Sequence, residues 1–306
     1  MASNISLIDQ WKYYYDNALT KTDPRTVSLP LVWNDPKPVL YLVGAYLMMV
    51  IFGKRIMSYL PEIKVPAWIL FTYNFGLVLL SAYMFEEIIV GVIQADYNLG
   101  CGEINNKPEE SRVTNALWWY FFSKAIEFLD TFWMIIRKRF IQVTFLHVFH
   151  HSTMLLIWWV VISWIPAGQA YFGASLNCVV HVFMYTYYAF SVIPSLKDKL
   201  WWKKYITTFQ LVQFVITFSH TCYGIYKTWN GQCSFPMWGQ YLLGSYMIIM
   251  LILFTNFYIH EYVKKTNATK RQRMNIDLNN NNLVNLDIKK QTRFKENGKA
   301  KANKIE

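Results

Sequence analysis

The chain has 306 residues, of which 54% are hydrophobic, 18% aromatic and only 16% charged, with a formal net charge of +11. Thirteen Trp and twenty-one Tyr in so few charges exclude an ordinary soluble core and point to a membrane protein. The mean hydropathy of +0.16 is held down by a polar tail that starts near Lys264.

The first 30 residues are polar and lack the apolar stretch of a signal peptide, so the first span is expected to direct insertion. Seven apolar stretches approach the ~20 residues that cross a bilayer core: 38–52, 67–85, 115–136, 143–165, 171–193, 205–226 and 237–259. The first is short, and charge interrupts the third. Lys54, Arg55 and Lys64 follow the first span, Arg137, Lys138 and Arg139 the third, and Lys197, Lys199, Lys203 and Lys204 the fifth. The intervening loops are acidic or nearly uncharged. By the positive-inside rule the N-terminus is then lumenal and the basic C-terminus cytosolic, which requires an odd number of spans. Trp158, Trp159, Trp164, Trp201 and Trp202 mark span ends as interfacial anchors.

The same topology divides the chain into a lumenal segment 1–36, a seven-span domain 37–262 and a cytosolic, Lys- and Asn-rich tail 263–306 expected to be disordered. It puts the Asn4-Ile5-Ser6 sequon in the lumen and Asn267-Ala268-Thr269 on the cytosolic side, where it would go unused. Cys101 and Cys233 fall in two outer loops, where an oxidising lumen allows a disulfide; the alternative is two free thiols. Cys178 and Cys222 lie within spans.

A charge near the middle of a spanning helix costs roughly 2.5–3.5 kcal/mol, so each intramembrane polar residue needs a reason. In the third span, KAIEFLDT puts Lys124, Glu127, Asp130 and Thr131 within a ~120° arc of one helix face. A Lys124–Glu127 ion pair would explain two of these charges and leave Asp130 without a purpose. In the fourth, HVFHH sets His147, His150 and His151 at i, i+3 and i+4, within ~100°. The fifth carries Asn177, His181, Met184, Tyr185 and Tyr188 along one stripe, and the sixth opens with Gln210 and Gln213. A lone histidine in a span is usually a packing residue. Polar faces on four consecutive helices instead predict a cavity. Counted at 1.5 Å per residue, these groups meet in one layer roughly 10–18 Å below the cytosolic side.

Several chemistries remain open on these residues. The HVFHH spacing also suits a metal-dependent membrane oxidase or desaturase, but a di-iron site of that kind needs about eight histidines, and this chain has six, two of them remote. A receptor lacks an outer ligand mouth, and a transporter would need a polar path to both sides. Acyl transfer fits: a neutral imidazole attacks a thioester or serves as general base, while Asn, Gln or backbone amides hold the oxyanion.

Together KAIEFLDT, HVFHH, NCVVHVFMYTYY and TTFQLVQF, in that order, resemble the ELO family of very-long-chain fatty acid elongases over about residues 30 to 262. LWWYFFSKAIEFLDT, AGQAYFGASLN and LWWKKYITTFQLVQF look most like the animal branch acting on very-long-chain and polyunsaturated acyl chains. The resemblance implies an all-α polytopic fold in which six helices form a closed-ended barrel around the acyl chain, with the seventh span outside it. It implies a 3-ketoacyl-CoA synthase of the endoplasmic reticulum that condenses acyl-CoA with malonyl-CoA, without metal or cofactor. His150 would be the nucleophile, with His147, His151 and His181 assisting. Lys124, Glu127 and Asp130 would set the polarity of the cavity, which Tyr185 also lines. Asn177, Gln210 and Gln213 would position the thioester. Arg137, Lys138, Arg139, Lys199, Lys203 and Lys204 would bind the CoA phosphates, set topology, or both. Cys178 reads as packing. Expected partners are membrane lipid, the reductases and dehydratase of the elongation cycle and a second copy of the chain, with no nucleic acid. The family's dilysine retrieval signal is displaced here, to Lys301 and Lys304.

Overall fold

The computed structural model describes residues 7–105 and 107–264, without the side chains of Leu7, Ile8 and Trp11. Asn4, the Asn267 sequon, Lys301 and Lys304 lie outside the described residues. The chain forms two compact units, Met1–Phe254 and Thr255–Glu306. In the second, the described residues complete a helix and make a π-helical turn, Ile259–Lys264.

Among the described residues ten α-helices follow in order: α1 Leu7–Leu19, α2 Lys37–Tyr59, α3 Ala67–Gln94, α4 Ser111–Ile126, α5 Phe128–Ile136, α6 Phe145–Trp164, α7 Ala170–Ser191, α8 Pro194–Lys197, α9 Lys203–Trp229 and α10 Met237–Tyr258. Four helical stretches among the described residues, α2, α3, α6 and α10 with its π-helical extension, are long and apolar enough to cross a membrane. In α4, α7 and α9 buried polar residues such as Lys124, His181 and Gln213 dilute the apolar pattern.

Prolines and caps set the ends. Pro38 occupies the first turn of α2, where its missing N–H costs nothing, and Pro66 immediately precedes α3. Thr144 caps α6 by accepting a hydrogen bond from the His147 backbone N–H (3.2 Å). The third predicted span is not one straight helix. It breaks at Glu127, between α4 and α5. There Ser123 Oγ donates to the Tyr120 carbonyl (2.8 Å), a back-bond that bends helices, and the Asp130 N–H reaches Glu127 O (3.0 Å) in a tightened turn.

Helix α3 lies along α7 and α4, α7 packs on α9, α4 on α6, and α2 on α5 and α6. The end at which α3 and α9 finish is closed by loops. Cys101 and Cys233 form a disulfide with Cα atoms 5.8 Å apart. Gly168, at φ +61° and with no room for a Cβ against Gly102 O, lets the turn before α7 press onto the loop after α3. The segment between α1 and α2 folds over the same end. The Asp23 N–H donates to Ser163 O (2.7 Å) and Thr26 Oγ1 to Ile162 O (2.8 Å). Arg25 bridges Asp23 (2.6 Å) and Glu110 (3.0 Å). Burial opposes the charge on Arg25, but hydrogen bonds to those carboxylates outweigh it and hold its pKa above the ordinary guanidinium value. Tyr97, its pKa raised by burial, donates to Glu110 Oε1 (2.9 Å) and accepts from the Gly168 N–H (3.0 Å).

Candidate active site

Four helices bring their polar residues together where α4 bends into α5. Lys124 Nζ donates to Glu127 Oε1 at 2.7 Å, with both side chains almost wholly buried, and lies 4.2 Å from the centre of the Tyr120 ring. His181, from α7, places Nδ1 3.5 Å from the same carboxylate oxygen. Glu127 Oε2 is buried and has no hydrogen-bond partner. One carboxylate thus sits between the Lys124 ammonium and an imidazole.

The three histidines of α6 do not act as one group. His147 Nε2 is hydrogen-bonded to Thr131 Oγ1 (2.7 Å) on α5. His151 is buried, its ring 4.4 Å from that of His147 and edge-on to His150 at 5.2 Å. His150 faces a long cavity, as neither neighbour does. An arc of 100° around a helix is wide enough to span both the cavity and the α5 contact.

The cavity runs from His150 to Ile165, about 22 Å at 1.5 Å per helical residue. At its head Tyr120 OH donates to Asn177 Oδ1 (2.6 Å), and Asn177 Nδ2 donates to Gln213 Oε1 (3.3 Å); all three residues line the wall. Beyond them α6 supplies Met154, Trp158 and Val161, and α10 supplies Leu243, Met247 and Met250. Thr217 and Thr221 of α9 form a more polar strip, and Gln169 and Gln240 close the end beside the disulfide loops. The last helix is thus a wall of the cavity rather than a span outside it. Helix α2 contributes nothing to the lining.

Other expected site residues fall elsewhere. Asp130 has a purpose after all: Tyr185 OH donates to its Oδ2 (2.9 Å), tying α5 to α7. Gln210 does not reach the cavity and instead directs Nε2 at Met184 Sδ (3.6 Å), which removes the basis for placing it at the thioester. Cys178 is buried beside the head of the site. Arg139, Lys199, Lys203 and Lys204 are exposed, Arg137 and Lys138 partly so, near the ends of α5, α8 and α9. His220 stacks on Phe172 (3.6 Å) and bonds Leu99 O (2.8 Å), in a packing role. The histidine ligand atoms do not converge: among the described residues the one group of three potential metal donors is Cys101, Glu103 and Cys233, two of which are disulfide-bonded.

Tyr46, Tyr120, Thr217 and Gln240 escaped the sequence reading. Single tyrosines and threonines in apolar runs carry no signal that separates lining from packing.

A helical membrane protein with histidines at the head of a deep apolar cavity is built for chemistry at the polar end of a long-chain lipid. The sequence model of the GNS1/SUR4 family (ELO) matches residues 31–270. The chain is 44% identical over 264 residues to very long chain fatty acid elongase 5 of Xenopus tropicalis, covering 86% of this chain and 87% of that one. It is 45% identical over 229 residues to very long chain fatty acid elongase 2 of Rattus norvegicus (74% and 80% covered). Against very long chain fatty acid elongase 5 of Mus musculus the identity is 48% over 228 residues (74% of each). The chain belongs to the GNS1/SUR4 family, whose members are multi-pass membrane proteins.

Proposed function

We propose that this protein elongates very-long-chain fatty acids as the condensing enzyme, joining an acyl-CoA to malonyl-CoA to give a 3-oxoacyl-CoA two carbons longer, CO2 and CoA. The observation that carries this reading is the position of His150, at the junction of a polar head and an apolar cavity about 22 Å long. A long tail fills the apolar part and leaves its thioester beside the imidazole. An imidazole nitrogen attacks the thioester carbonyl; the C–S bond breaks, CoA leaves as thiolate and takes up a proton, and an acyl-imidazole remains. Malonyl-CoA loses CO2 and the resulting enolate attacks the acyl carbon, forming the C–C bond as the C–N bond breaks and the departing imidazole nitrogen takes up a proton from solvent.

Asn177 holds the Gln213 oxygen, so the N–H groups of Gln213 are free to meet a developing oxyanion. Decarboxylation supplies the carbanion, so no metal or cofactor is invoked. In this reading His181, against Glu127, would move a proton, and His151 would support the His150 ring.

The wider reading is of seven spans, with α4, α6, α7, α9 and α10 supplying the cavity lining and α2 and α3 supplying none of it. The protein would reside in the endoplasmic reticulum with residues 1–36 lumenal, Asn4 glycosylated and the tail from 263 cytosolic. The exposed basic residues at the cytosolic ends would hold CoA phosphates. Reductases and a dehydratase would complete the cycle, and a second copy of the chain remains an open partner.

Membranes containing the protein, given labelled long-chain acyl-CoA and malonyl-CoA without NADPH, should release CO2 and form 3-ketoacyl-CoA. His150→Ala should abolish both. Without malonyl-CoA, the wild type should retain a hydroxylamine-sensitive acyl label. Labelling that persists in His150→Ala would remove His150 as nucleophile, and failure of the folded wild type with a panel of acyl-CoAs would remove the condensing reaction.

A further inference from the structure

Tyr46 lies on α2, a helix that supplies no residue to the cavity lining, yet its hydroxyl points into the polar cluster. It is buried, its ring stacked on Phe128 at a centroid distance of 4.1 Å, and its OH is 3.0 Å from Thr131 Oγ1. Thr131, fully buried, is in turn 2.7 Å from His147 Nε2. Three side chains from three helices therefore form one hydrogen-bonded line that ends on the first histidine of HVFHH.

We infer that Tyr46 and Thr131 are positioning residues that lock His147 in a single tautomer and ring orientation. Counting protons gives the direction of the line. Two hydroxyls carry one proton each, and a neutral imidazole carries one on either nitrogen. If Tyr46 donates to Thr131 and Thr131 donates to Nε2, both hydroxyl protons have acceptors and His147 bears its proton on Nδ1. The His147 ring is only partly buried, and Nδ1 is not among the buried atoms left without a partner. If Nε2 carried the proton, the line would reverse and Thr131 would donate to Tyr46. The phenol proton would then have no acceptor among the described hydrogen bonds, in surroundings where an unpaired donor is costly. The first arrangement is therefore the stable one.

Its consequence reaches the reacting histidine through packing. The His147 ring lies 4.4 Å from His151, which stands edge-on to His150 at 5.2 Å. Fixing His147 removes the freedom of the ring on which His151 rests, and His151 in turn limits how His150 can rotate. With Nε2 occupied as an acceptor, His147 cannot take a proton from substrate at that atom and offers a donor at Nδ1 instead. This assigns it a supporting part, distinct from that of His150.

The tautomer can be read without any substrate, so this test stands apart from the condensing reaction on which its kinetic arm rests. In protein labelled with 15N-histidine and held in lipid nanodiscs, with His147→Gln to assign the signal, Nδ1 should be protonated and Nε2 unprotonated. Thr131→Val, which keeps the shape and removes the hydroxyl, should shift the proton or leave a mixture. Thr131→Ser should restore the wild-type signal. In the condensation assay, Thr131→Val should lower kcat by about tenfold or more with KM held within about twofold, part of the 10²–10⁴ that acid–base groups contribute. Tyr46→Phe should have a smaller effect of the same kind, and Thr131→Ser should recover activity. A proton on Nε2 in the wild type would overturn the inference. So would ring signals and kcat that stay unchanged in both Tyr46→Phe and Thr131→Val, since these hydroxyls would then only pack. If the wild type condenses nothing, the condensing reaction fails while the nitrogen spectrum still decides the tautomer.

Discussion

The ammonium of Lys124 sits 2.7 Å from the Glu127 carboxylate, with the two side chains 1% and 2% exposed. Neither charge is tolerable alone at that depth. Burying an ion pair gains little over apolar packing, but removing one partner leaves an uncompensated charge, which typically costs about 3–5 kcal/mol. Glu127→Gln or Lys124→Met should therefore lower the thermal midpoint in detergent sharply. The double variant should recover much of the loss while remaining inactive, because His181 also faces that carboxylate at 3.5 Å. Single variants as stable as the parent would show that the pair is dispensable for folding.

The Cys101–Cys233 bond closes a stretch 132 residues apart in sequence. Restricting so long a loop in the unfolded chain stabilises by at most about 5 kcal/mol, and by less where membrane helices already confine its ends. Cys101→Ser should lower the thermal midpoint by several degrees, and dithiothreitol should do the same to the wild type but nothing further to the variant. Non-reducing and reducing gels that show the same mobility for the wild type would speak against the bond.

Arg25 is the hinge pin of the cap over the closed end, pairing with Asp23 and with Glu110, whose side chain is 1% exposed. Arg25→Met removes the cation from a buried carboxylate that also accepts from the Tyr97 hydroxyl and the Asn105 N–H. A loss of roughly 3 kcal/mol is expected, read as faster proteolysis between α1 and α2. Arg25→Lys should recover part of it. Cleavage no faster than in the wild type would place the cap's stability elsewhere.

What could be read from sequence followed from the cost of polar groups in a membrane. Each intramembrane charge and histidine stood out because it needed a reason, and Lys124, Glu127, His150, His181, Asn177 and Gln213 do gather at one site. Helix lengths were harder. Helix α2 runs past Gly53 because Lys54 Nζ finds the Val143 carbonyl at 2.9 Å, and α3 continues through Glu87 because Arg112 meets it at 2.7 Å. Such partners lie 89 and 25 residues away, where local hydropathy says nothing. The break at Glu127 rests on a serine back-bond, and Asp130 looked purposeless until Tyr185 came beside it. Which of three histidines faces the cavity depends on how α6 packs against α2 and α4, which HVFHH itself does not show. The helix Leu7–Leu19 was not foreseen, for its Tyr-rich run carries no membrane-span signal.

Thr217 tests the cavity as the binding place of the acyl tail. It lines the wall one helical turn beyond Gln213, is 1% exposed, and its hydroxyl has no hydrogen-bond partner. Across from it Gly173 packs close, a Cβ there lying 3.2 Å from Thr217 Cγ2. Thr217→Trp would fill the passage below the reacting group and leave the His150 end untouched. Condensation of long-chain acyl-CoA should fall by about tenfold or more, the loss expected when some 1.4 kcal/mol or more of tail burial is denied. A short-chain acyl-CoA, which ends within the ~6 Å of helix between Gln213 and Thr217, should be condensed at least as well as by the wild type. Thr217→Val, equal in volume and without the unpaired hydroxyl, should keep or improve activity on long chains. An equal loss for every chain length in Thr217→Trp would mean that the tail takes another route, and the distance from His150 to Ile165 would no longer bear on substrate size.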